Sequence, residues 1–282
     1  MRKLLTALIA CFVLMSCQKE ISADNLDNLP GGGNGGSPNG TKLVRIGVRT
    51  GGDSITTNFA YNNAGRLTKF SQAGTIGGTL ITAQAQYVRN AAEVISKTII
   101  KTNALTQFGL DSIEAFHTYD VANRRYKYSL SPITIAGNTA TDSVVYVYTG
   151  DKLTSAIDYY DDGSGGGYTP YSKEEYSYTG KNISQIKSYT YDESTRTYDL
   201  ETTVNYEYDL KVNPISFPED VPAISMLLYY SANNEVKKTV TDHLTGTTDV
   251  LTTAITYNNN NRPLSAVASS SGLNTISTYY YQ

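Results

Sequence analysis

A tyrosine that recurs every 22 to 32 residues constrains the fold of this 282-residue chain more than any other feature. Each recurrence ends an aromatic stretch, continues into a polar turn rich in Asn, Gly and Asp, and resumes with Leu, Ile or Val. Tyr61-Asn-Asn-Ala-Gly-Arg-Leu-Thr68 is a clear copy. Asn and Gly tolerate the positive φ of tight hairpin turns. The recurring tyrosines are Tyr61, Tyr87, Tyr119, Tyr148, Tyr178, Tyr208, Tyr230, Tyr257 and Tyr281.

One repeat has room for two strands and two connections, of which the glycine-rich stretch 161–167 is a long example. Alternation supports strands, because Val204, Tyr206 and Tyr208 share one face of an extended chain. Ile183–Tyr191 departs from strict alternation and predicts a bulge. No helical periodicity follows the first 17 residues. The pattern therefore predicts an all-β, antiparallel up-and-down meander of roughly 16 strands. Accumulated twist should curl or close this meander into a barrel.

The N-terminus has the layout of an export signal. Arg2 and Lys3 precede the apolar run Leu4–Met15, which is too short to cross a hydrocarbon layer of about 30 Å. Leu14-Met15-Ser16-Cys17 resembles the bacterial lipobox, and the resemblance implies that Cys17 is lipidated and becomes the first mature residue. A rival lipobox ends at Cys11, and an ordinary signal peptide is the third option; the polar residues after Cys17 favour Cys17.

Composition divides the chain into a signal peptide (1–16), a Gly/Asn/Ser-rich tether (17–41) and one β-repeat domain (42–282). The tether is too polar and glycine-rich to bury a core, so we expect it to act as a flexible leash. The two cysteines of the chain, Cys11 and Cys17, both precede the repeat domain. That domain therefore has no disulfide, no thiolate nucleophile and no cysteine-ligated metal.

Charge and motifs give little support to nucleic-acid binding or catalysis. Removal of the signal leaves 21 basic and 26 acidic residues, so nucleic acid is a poor partner. His117 and His243 stand in unrelated repeats and are expected at the surface. Lys173-Glu174-Glu175 is expected on a solvated strand face, and Asp161-Asp162 in a solvated loop. The sequence thus predicts no catalytic residue, no metal site, no cofactor and no enzyme activity.

Three Asp-Ser-aliphatic tripeptides resemble the acceptor of periplasmic O-glycosylation in Bacteroidota. By that resemblance the modified residues would be Ser54, Ser112 and Ser143. The competing explanation is that Asp and Ser end turns while a β-branched residue opens the next strand. Such tripeptides then arise without any modification.

The repeats resemble Tyr-Asp (Rhs-type) repeats. The layout of lipobox, leash and repeats resembles a Bacteroidota lipoprotein family of unknown function with a porin-like fold. The resemblance implies a large antiparallel barrel and no particular activity. Gln18-Lys19-Glu20 resembles a surface-export signal, which slightly favours the surface face of the outer membrane over the periplasmic face.

The first functional hypothesis is a non-enzymatic structural or binding module, attached to the membrane by its lipid, with a glycan or protein partner. The tyrosine excess suits either packing inside a barrel or stacking on sugars. The alternatives are an outer-membrane channel or transport accessory, and a glycan-acting hydrolase. A channel needs an apolar outer band, and a glycan-acting hydrolase needs two nearby carboxylates in a cleft.

Overall fold

A computed structural model describes residues 41–224 and 231–282 as one closed barrel of sixteen antiparallel strands. The predicted signal, the two candidate lipobox cysteines and Tyr230 lie outside the described residues. The strands are β1 (Leu43–Thr50), β2 (Asp53–Tyr61), β3 (Leu67–Ile76), β4 (Thr79–Arg89), β5 (Ile95–Thr102), β6 (Ile113–Asp120), β7 (Arg125–Ile135), β8 (Asn138–Thr149), β9 (Lys152–Asp161), β10 (Thr169–Thr179), β11 (Asn182–Asp192), β12 (Thr197–Val212), β13 (Asn233–Asp242), β14 (Thr248–Tyr257), β15 (Pro263–Ser270) and β16 (Leu273–Tyr281).

Every strand pairs with its sequence neighbours, and β1 pairs with β16 to close the ring. The predicted all-β meander is confirmed, and of the two expected outcomes, curling and closure, the structure has closure. Each even-numbered strand carries one of the recurring tyrosines near its C-terminal end, so these residues gather at one mouth of the barrel. One tyrosine repeat is therefore one pair of strands.

The turns at this mouth are built as the repeat predicts. In the first of them, the Asn62 side chain accepts a hydrogen bond from Arg66 N at 2.9 Å, and Gly65 adopts a φ of 79°. The predicted irregularity in Ile183–Tyr191 is also present, since the β11–β12 register shifts between Ser188 and Tyr189.

Two short helical segments interrupt the meander within the described residues, and the sequence pattern predicts neither of them. A 3₁₀ helix, Asn103–Phe108, follows β5, and its N-terminus is capped by the Thr102 hydroxyl. A one-turn helix, α1 (Val221–Ile224), lies in the long connection between β12 and β13. Within 41–224 and 231–282, no helix combines the length and apolarity needed to span a bilayer.

Residues 213–224, which we call the plug, fold into the barrel. They leave β12, yet Ala223 and Ile224 share a hydrophobic core with Phe70 on β3 and Tyr126 on β7. On the ring of sixteen strands, β5 lies seven strands from β12, so α1 reaches β5 and β7 only across the interior. The plug therefore marks the inner face of the wall.

Candidate functional site

The inner face of the barrel is the candidate site, and tyrosines dominate it. Directly opposed residues on antiparallel strands share a face, which allows the inner face to be followed from strand to strand. Tyr146, Tyr176 and Tyr206 lie on the inner face together with Val144 and Val204, in the second of two hydrophobic clusters. Part of the tyrosine excess therefore lies on the inner face of the barrel.

One ion pair joins the plug to the wall. Arg89 on β4 donates from Nη1 and Nη2 to the two carboxylate oxygens of Asp220 at 3.1 and 2.7 Å. The two side chains are only 6% and 8% exposed. Arg89 also donates to the Leu67 and Glu93 carbonyls, so its donors are used. A bidentate pair of this kind combines charge with a fixed geometry.

Next to this ion pair, two wall hydroxyls hold the backbone of the plug. Thr98 Oγ1 on β5 donates to the Ala223 carbonyl at 2.8 Å, and Tyr146 Oη on β8 donates to the Pro222 carbonyl at 2.9 Å. His117 lies between these hydroxyl groups and is only 9% exposed. The expectation that His117 is a surface residue is therefore wrong. His243 is exposed, with Nε2 2.8 Å from Thr203 Oγ1.

Three inward carboxylates on neighbouring strands form what we call the acidic wall: Asp142 on β8, Asp158 on β9 and Glu174 on β10. In the strand register, Val144 opposes Asp158 and Ser172 opposes Asp158 on its other side. Asp142 and Glu174 are thus each displaced by two residues from the position opposite Asp158. Such diagonal positions on adjacent strands lie about 7–8 Å apart, within reach of long side chains.

Hydroxyl groups are the hydrogen-bond donors to the acidic wall. Tyr171 donates to Asp142 at 3.0 Å, Ser172 donates to Asp158, and Tyr176 donates to Glu174 at 2.7 Å. Within residues 41–224 and 231–282, no Lys or Arg forms an ion pair with these carboxylates.

Burial without a cation changes the protonation of the acidic wall. Desolvation raises the pKa of Asp142 to about 6, against the lowering effect of the Tyr171 hydrogen bond. It raises the pKa of Asp158 to about 7, and the neighbouring carboxylates add to the rise. The pKa of Glu174 is raised for the same reason, desolvation. Groups that hold protons near neutrality can exchange them in acid–base chemistry or when a charged ligand binds.

The interior also presents a second carboxylate region on β13. Glu235 opposes Tyr208, and Lys238 opposes Tyr206. Burial raises the pKa of Glu235, while Lys238 lowers it. Burial also raises the pKa of Tyr279 on β16 to about 12, with Glu235 as a further cause. Aromatic rings, hydroxyls and carboxylates thus occur together on the inner surface.

The outer face carries charged side chains along the strands. Lys237 and Glu207 are directly opposed on β13 and β12 and form an ion pair at 2.7 Å. Lys173 and Glu175 form another at 2.8 Å on β10. The expectation for Lys173-Glu174-Glu175 is therefore wrong for Glu174, because alternation turns this residue inward between two outward neighbours.

The remaining residues singled out from sequence lie apart from this site. Ser54 and Ser112 are partly exposed, whereas Ser143 is 8% exposed on β8. Asp161 and Asp162 accept hydrogen bonds from Gly163 N and Ser164 N, each at 2.9 Å. These carboxylates shape their own loop. No group of three or more His, Cys, Asp or Glu side chains suited to a metal occurs in the described part of the chain.

Two features of the site, the plug and the acidic wall, are not predicted by the tyrosine repeat. The plug had a signal, because Pro214, Pro218 and Pro222 recur within nine residues and cannot continue a central strand. The acidic wall had a weaker one: Asp142, Asp158 and Glu174 are spaced by 16 residues. Only the true strand register shows that this spacing brings them together.

Together these features define a closed sixteen-stranded β-barrel with an internal plug and a tyrosine- and carboxylate-lined interior. Two solved structures from Bacteroides are similar to this chain in fold. A porin-like protein from Bacteroides uniformis aligns with a TM-score of 0.52 at 17% identity, covering 86% of this chain and 98% of that one. A porin-like protein from Bacteroides vulgatus aligns with a TM-score of 0.56 at 10% identity, covering 86% and 99%.

At identities of 17% and 10%, the similarity to these two proteins concerns the fold alone. No protein-family model matches the sequence, and no curated protein matches it either.

Proposed function

We propose that this chain is a lipid-anchored cell-envelope protein whose barrel is a structural or binding module and not an enzyme. The supporting observation is the outer face, which carries ion pairs such as Lys237–Glu207 in the middle of the sheet. A membrane-spanning barrel needs an outer apolar band about 25 Å tall, and a lysine at its midplane costs about 2–4 kcal/mol. A water-surrounded barrel on a lipid leash avoids that cost.

The anchor is tested by fractionation of the producing bacterium. Cys17→Ala removes the acyl acceptor, so the protein should leave the membrane fraction and appear with soluble proteins. Cys11→Ala is the matched control and should stay with the membranes. Membrane recovery of the Cys17→Ala variant would refute the anchor at this position, and loss of the Cys11→Ala protein from membranes would move the anchor to Cys11.

The Cys17→Ala variant also distinguishes a structural or binding module from an outer-membrane channel. The Cys17→Ala protein should remain monodisperse in buffer without detergent, because its outer face carries charged pairs. A protein that aggregates without detergent and inserts into liposomes would favour an outer-membrane channel instead.

The binding surface that we propose is the inner face beyond the plug. Tyrosine rings such as Tyr206 can stack on sugars or peptides, and carboxylates such as Glu235 can accept their hydroxyl or amide hydrogens. A screen of glycan and peptide arrays with the soluble Cys17→Ala protein tests this proposal. Binding should be lost in Tyr206→Ala and kept in Tyr168→Ala, whose exposed ring lies in the loop before β10.

The acidic wall supports a second candidate, a glycan-acting hydrolase. Its carboxylates stand on diagonal positions of adjacent strands, which lie about 7–8 Å apart, and inverting glycosidases place their two carboxyl groups about 6.5–9.5 Å apart. Asp158, whose pKa is about 7, could hold the acidic proton. Hydrolysis of a polysaccharide that ceases in Asp158→Asn would establish this function, whereas glycan binding without turnover would establish the module.

A further inference from the structure

Three neighbouring strands, β6 to β8, carry exposed apolar side chains on the outer face of the barrel. We call these residues the lateral patch: Phe116 on β6, Tyr128 on β7, and Val145 and Val147 on β8. They are 36–43% exposed. Their neighbours in sequence point inward, since His117 bonds to Ser129 and Tyr146 bonds to the plug. Strict alternation therefore turns the lateral patch outward.

The strand register makes the lateral patch continuous and extends it to β9. Tyr128 is directly opposite Val145, and Val145 is directly opposite Ile157 on β9. Phe116 is directly opposite Leu130, two residues from Tyr128 on the same face of β7. Adjacent strands lie about 4.8 Å apart and each residue rises about 3.4 Å, so four strands and five residues along each cover roughly 300 Å².

The opposite side of the ring is polar at the corresponding outer positions. There Arg45 and Arg49 on β1 are directly opposite Asn58 and Ser54 on β2, and these residues alternate with core-facing ones. A barrel that spans a bilayer needs its apolar band around the whole circumference. The lateral patch is therefore a one-sided surface and not part of such a band.

The border of the lateral patch combines lysine with aromatic rings. Lys97 Nζ lies 5.8 Å from the centre of the Phe116 ring and 3.1 Å from Glu114 Oε1. Lysines of this kind cover apolar surface with their stems and keep the ammonium group in a polar layer. Tyrosine and lysine around an apolar centre are typical of protein surfaces that meet lipid headgroups.

The size of the lateral patch distinguishes between two kinds of occupant. A stable complex of two proteins buries about 800 Å² on each partner, which is well above roughly 300 Å². The outer wall of a closed barrel is also convex, so two copies would meet along a narrow line. A lipid surface is fluid and can follow a convex wall, and its affinity grows with whatever apolar area it covers.

We propose that the lateral patch rests on the surface of the lipid bilayer to which the chain is anchored. The apolar side chains enter the headgroup layer, and the barrel lies on its side without crossing the membrane. This inference rests on the proposed lipid anchor. An anchor raises the effective concentration of the patch at the bilayer, so a small apolar area suffices for contact.

The length of chain before the barrel permits this orientation. On the ring, β8 lies seven strands from β1, where the barrel begins. Half of the ring, at about 4.8 Å per strand, measures about 38 Å. Residues 18–42 separate Cys17 from β1 and can span up to about 80 Å. A lipid at Cys17 therefore lets the far side of the barrel face the membrane.

A single introduced tryptophan tests the contact, because the chain contains none. Tyr128→Trp places the reporter in the lateral patch. Tyr280→Trp places it on the far side of the ring, on the outer face of β16 where Tyr280 packs against Arg45. Residues 17–282, which contain all sixteen strands, are coupled through Cys17 to a maleimide phospholipid in phosphatidylcholine vesicles. Bromine on the acyl chains near the headgroups should quench Tyr128→Trp at least twofold and leave Tyr280→Trp unchanged.

A double substitution tests whether the lateral patch makes this contact. Val145→Thr with Val147→Thr keeps two β-branched residues in β8 and adds two hydroxyls, so it should abolish the quenching of Tyr128→Trp. Val250→Thr is the matched control, because Val250 is 43% exposed on the outer face of β14. This control should keep the quenching. Quenching that survives the double substitution would overturn the proposal.

The remaining outcomes also decide the proposal. Equal quenching of Tyr128→Trp and Tyr280→Trp, or none in either, would overturn it. A Tyr128→Trp emission that shifts to shorter wavelength with protein concentration in lipid-free buffer, without quenching by lipid, would identify a second copy as the occupant instead. The coupling at Cys17 is chemical, so these results do not depend on lipidation in the bacterium, which fractionation of the Cys17→Ala variant tests separately.

Discussion

The plugged mouth and the acidic wall lie on the same inner face but treat charge in opposite ways. At the mouth, the buried carboxylate of Asp220 faces the guanidinium of Arg89 with two hydrogen bonds. In the acidic wall, Asp142, Asp158 and Glu174 accept hydrogen bonds from hydroxyls. The described residues supply the first carboxylate with a cation and the other three with neutral donors.

The difference shows why the ion pair at the plugged mouth holds the structure together, whereas the acidic wall binds protons near neutral pH. A buried ion pair keeps both partners charged, and loss of either partner leaves an uncompensated charge. A buried carboxylate without a cation takes up a proton instead, which is why the pKa of Asp158 rises to about 7. The stability of the plugged mouth should therefore depend on both partners of the Arg89–Asp220 ion pair. The stability contributed by the acidic wall should depend on pH.

The largest expected effect is at the mouth. Asp220→Ala leaves Arg89 buried without its carboxylate, and we expect the free energy of unfolding to fall by about 3–5 kcal/mol. Urea denaturation followed by tyrosine fluorescence measures this loss. Glu219→Ala is the control, since its ion pair with Arg66 is 44% and 65% exposed and should contribute at most about 1 kcal/mol. Equal losses in the two variants would show that the buried pair is not a joint.

The second largest effect is at the acidic wall, where a substitution should increase the stability of the protein instead of lowering it. The folded protein holds the Asp158 proton more tightly than the unfolded chain, so this stabilisation is complete below about pH 4 and is lost as the pH rises to about 7. A pKa that rises by about three units corresponds to about 4 kcal/mol. Asp158→Asn should therefore be more stable than the parent protein at pH 8, by about 2–4 kcal/mol, and similar to it at pH 4.

Chemical denaturation at the two pH values tests this prediction. The lowered pKa of His117 acts in the opposite sense, because the unfolded chain takes up that proton first as the pH falls. That contribution is common to both proteins and cancels in the comparison. Asp249→Asn on the exposed part of β14 should give no comparable gain at pH 8. A destabilised Asp158→Asn at pH 8 would argue for an undetected charge partner.

The smallest effect concerns the hydroxyl donors of the wall. Tyr171 stabilises the ionised form of Asp142 by its hydrogen bond, so Tyr171→Phe should raise the pKa of Asp142 above about 6. Above that pH the loss of stability should be about 1–2 kcal/mol. Carboxylate NMR titration and denaturation at pH 8 measure the two changes. Tyr168→Phe, in the exposed loop before β10, should change neither.

Much of the fold was predictable because the tyrosine repeat records local geometry. A polar turn such as Asn62–Arg66 needs only nearby residues, and alternation along β12 needs only the strand itself. Sixteen strands follow from the number of such units. The repeat at Tyr208–Tyr230 was misjudged, because the plug supplies the extra residues between β12 and β13 and adds no strand pair.

The candidate site was not predictable to the same degree. His117 and Thr98 come from one repeat and Tyr146 from the next, and they meet only because β5, β6, β7 and β8 are adjacent in the closed ring. In sequence, Glu174 resembles its charged neighbours Lys173 and Glu175. It differs from them only because its side chain points to the inner face of the barrel and theirs point to the outer face. The proposed lipidation at Cys17 and the acceptor resemblance at Ser54, Ser112 and Ser143 remain predictions.

The sequence by itself determined that the chain alternates short strands with tight polar turns, since those preferences act over a few residues. It also determined that the repeat domain contains no cysteine chemistry. Tertiary structure alone decided which side chains face one another across the barrel and where the plug inserts. Burial depends on closure of the ring, and burial turns ordinary Asp, Glu and His residues into groups with displaced pKa values.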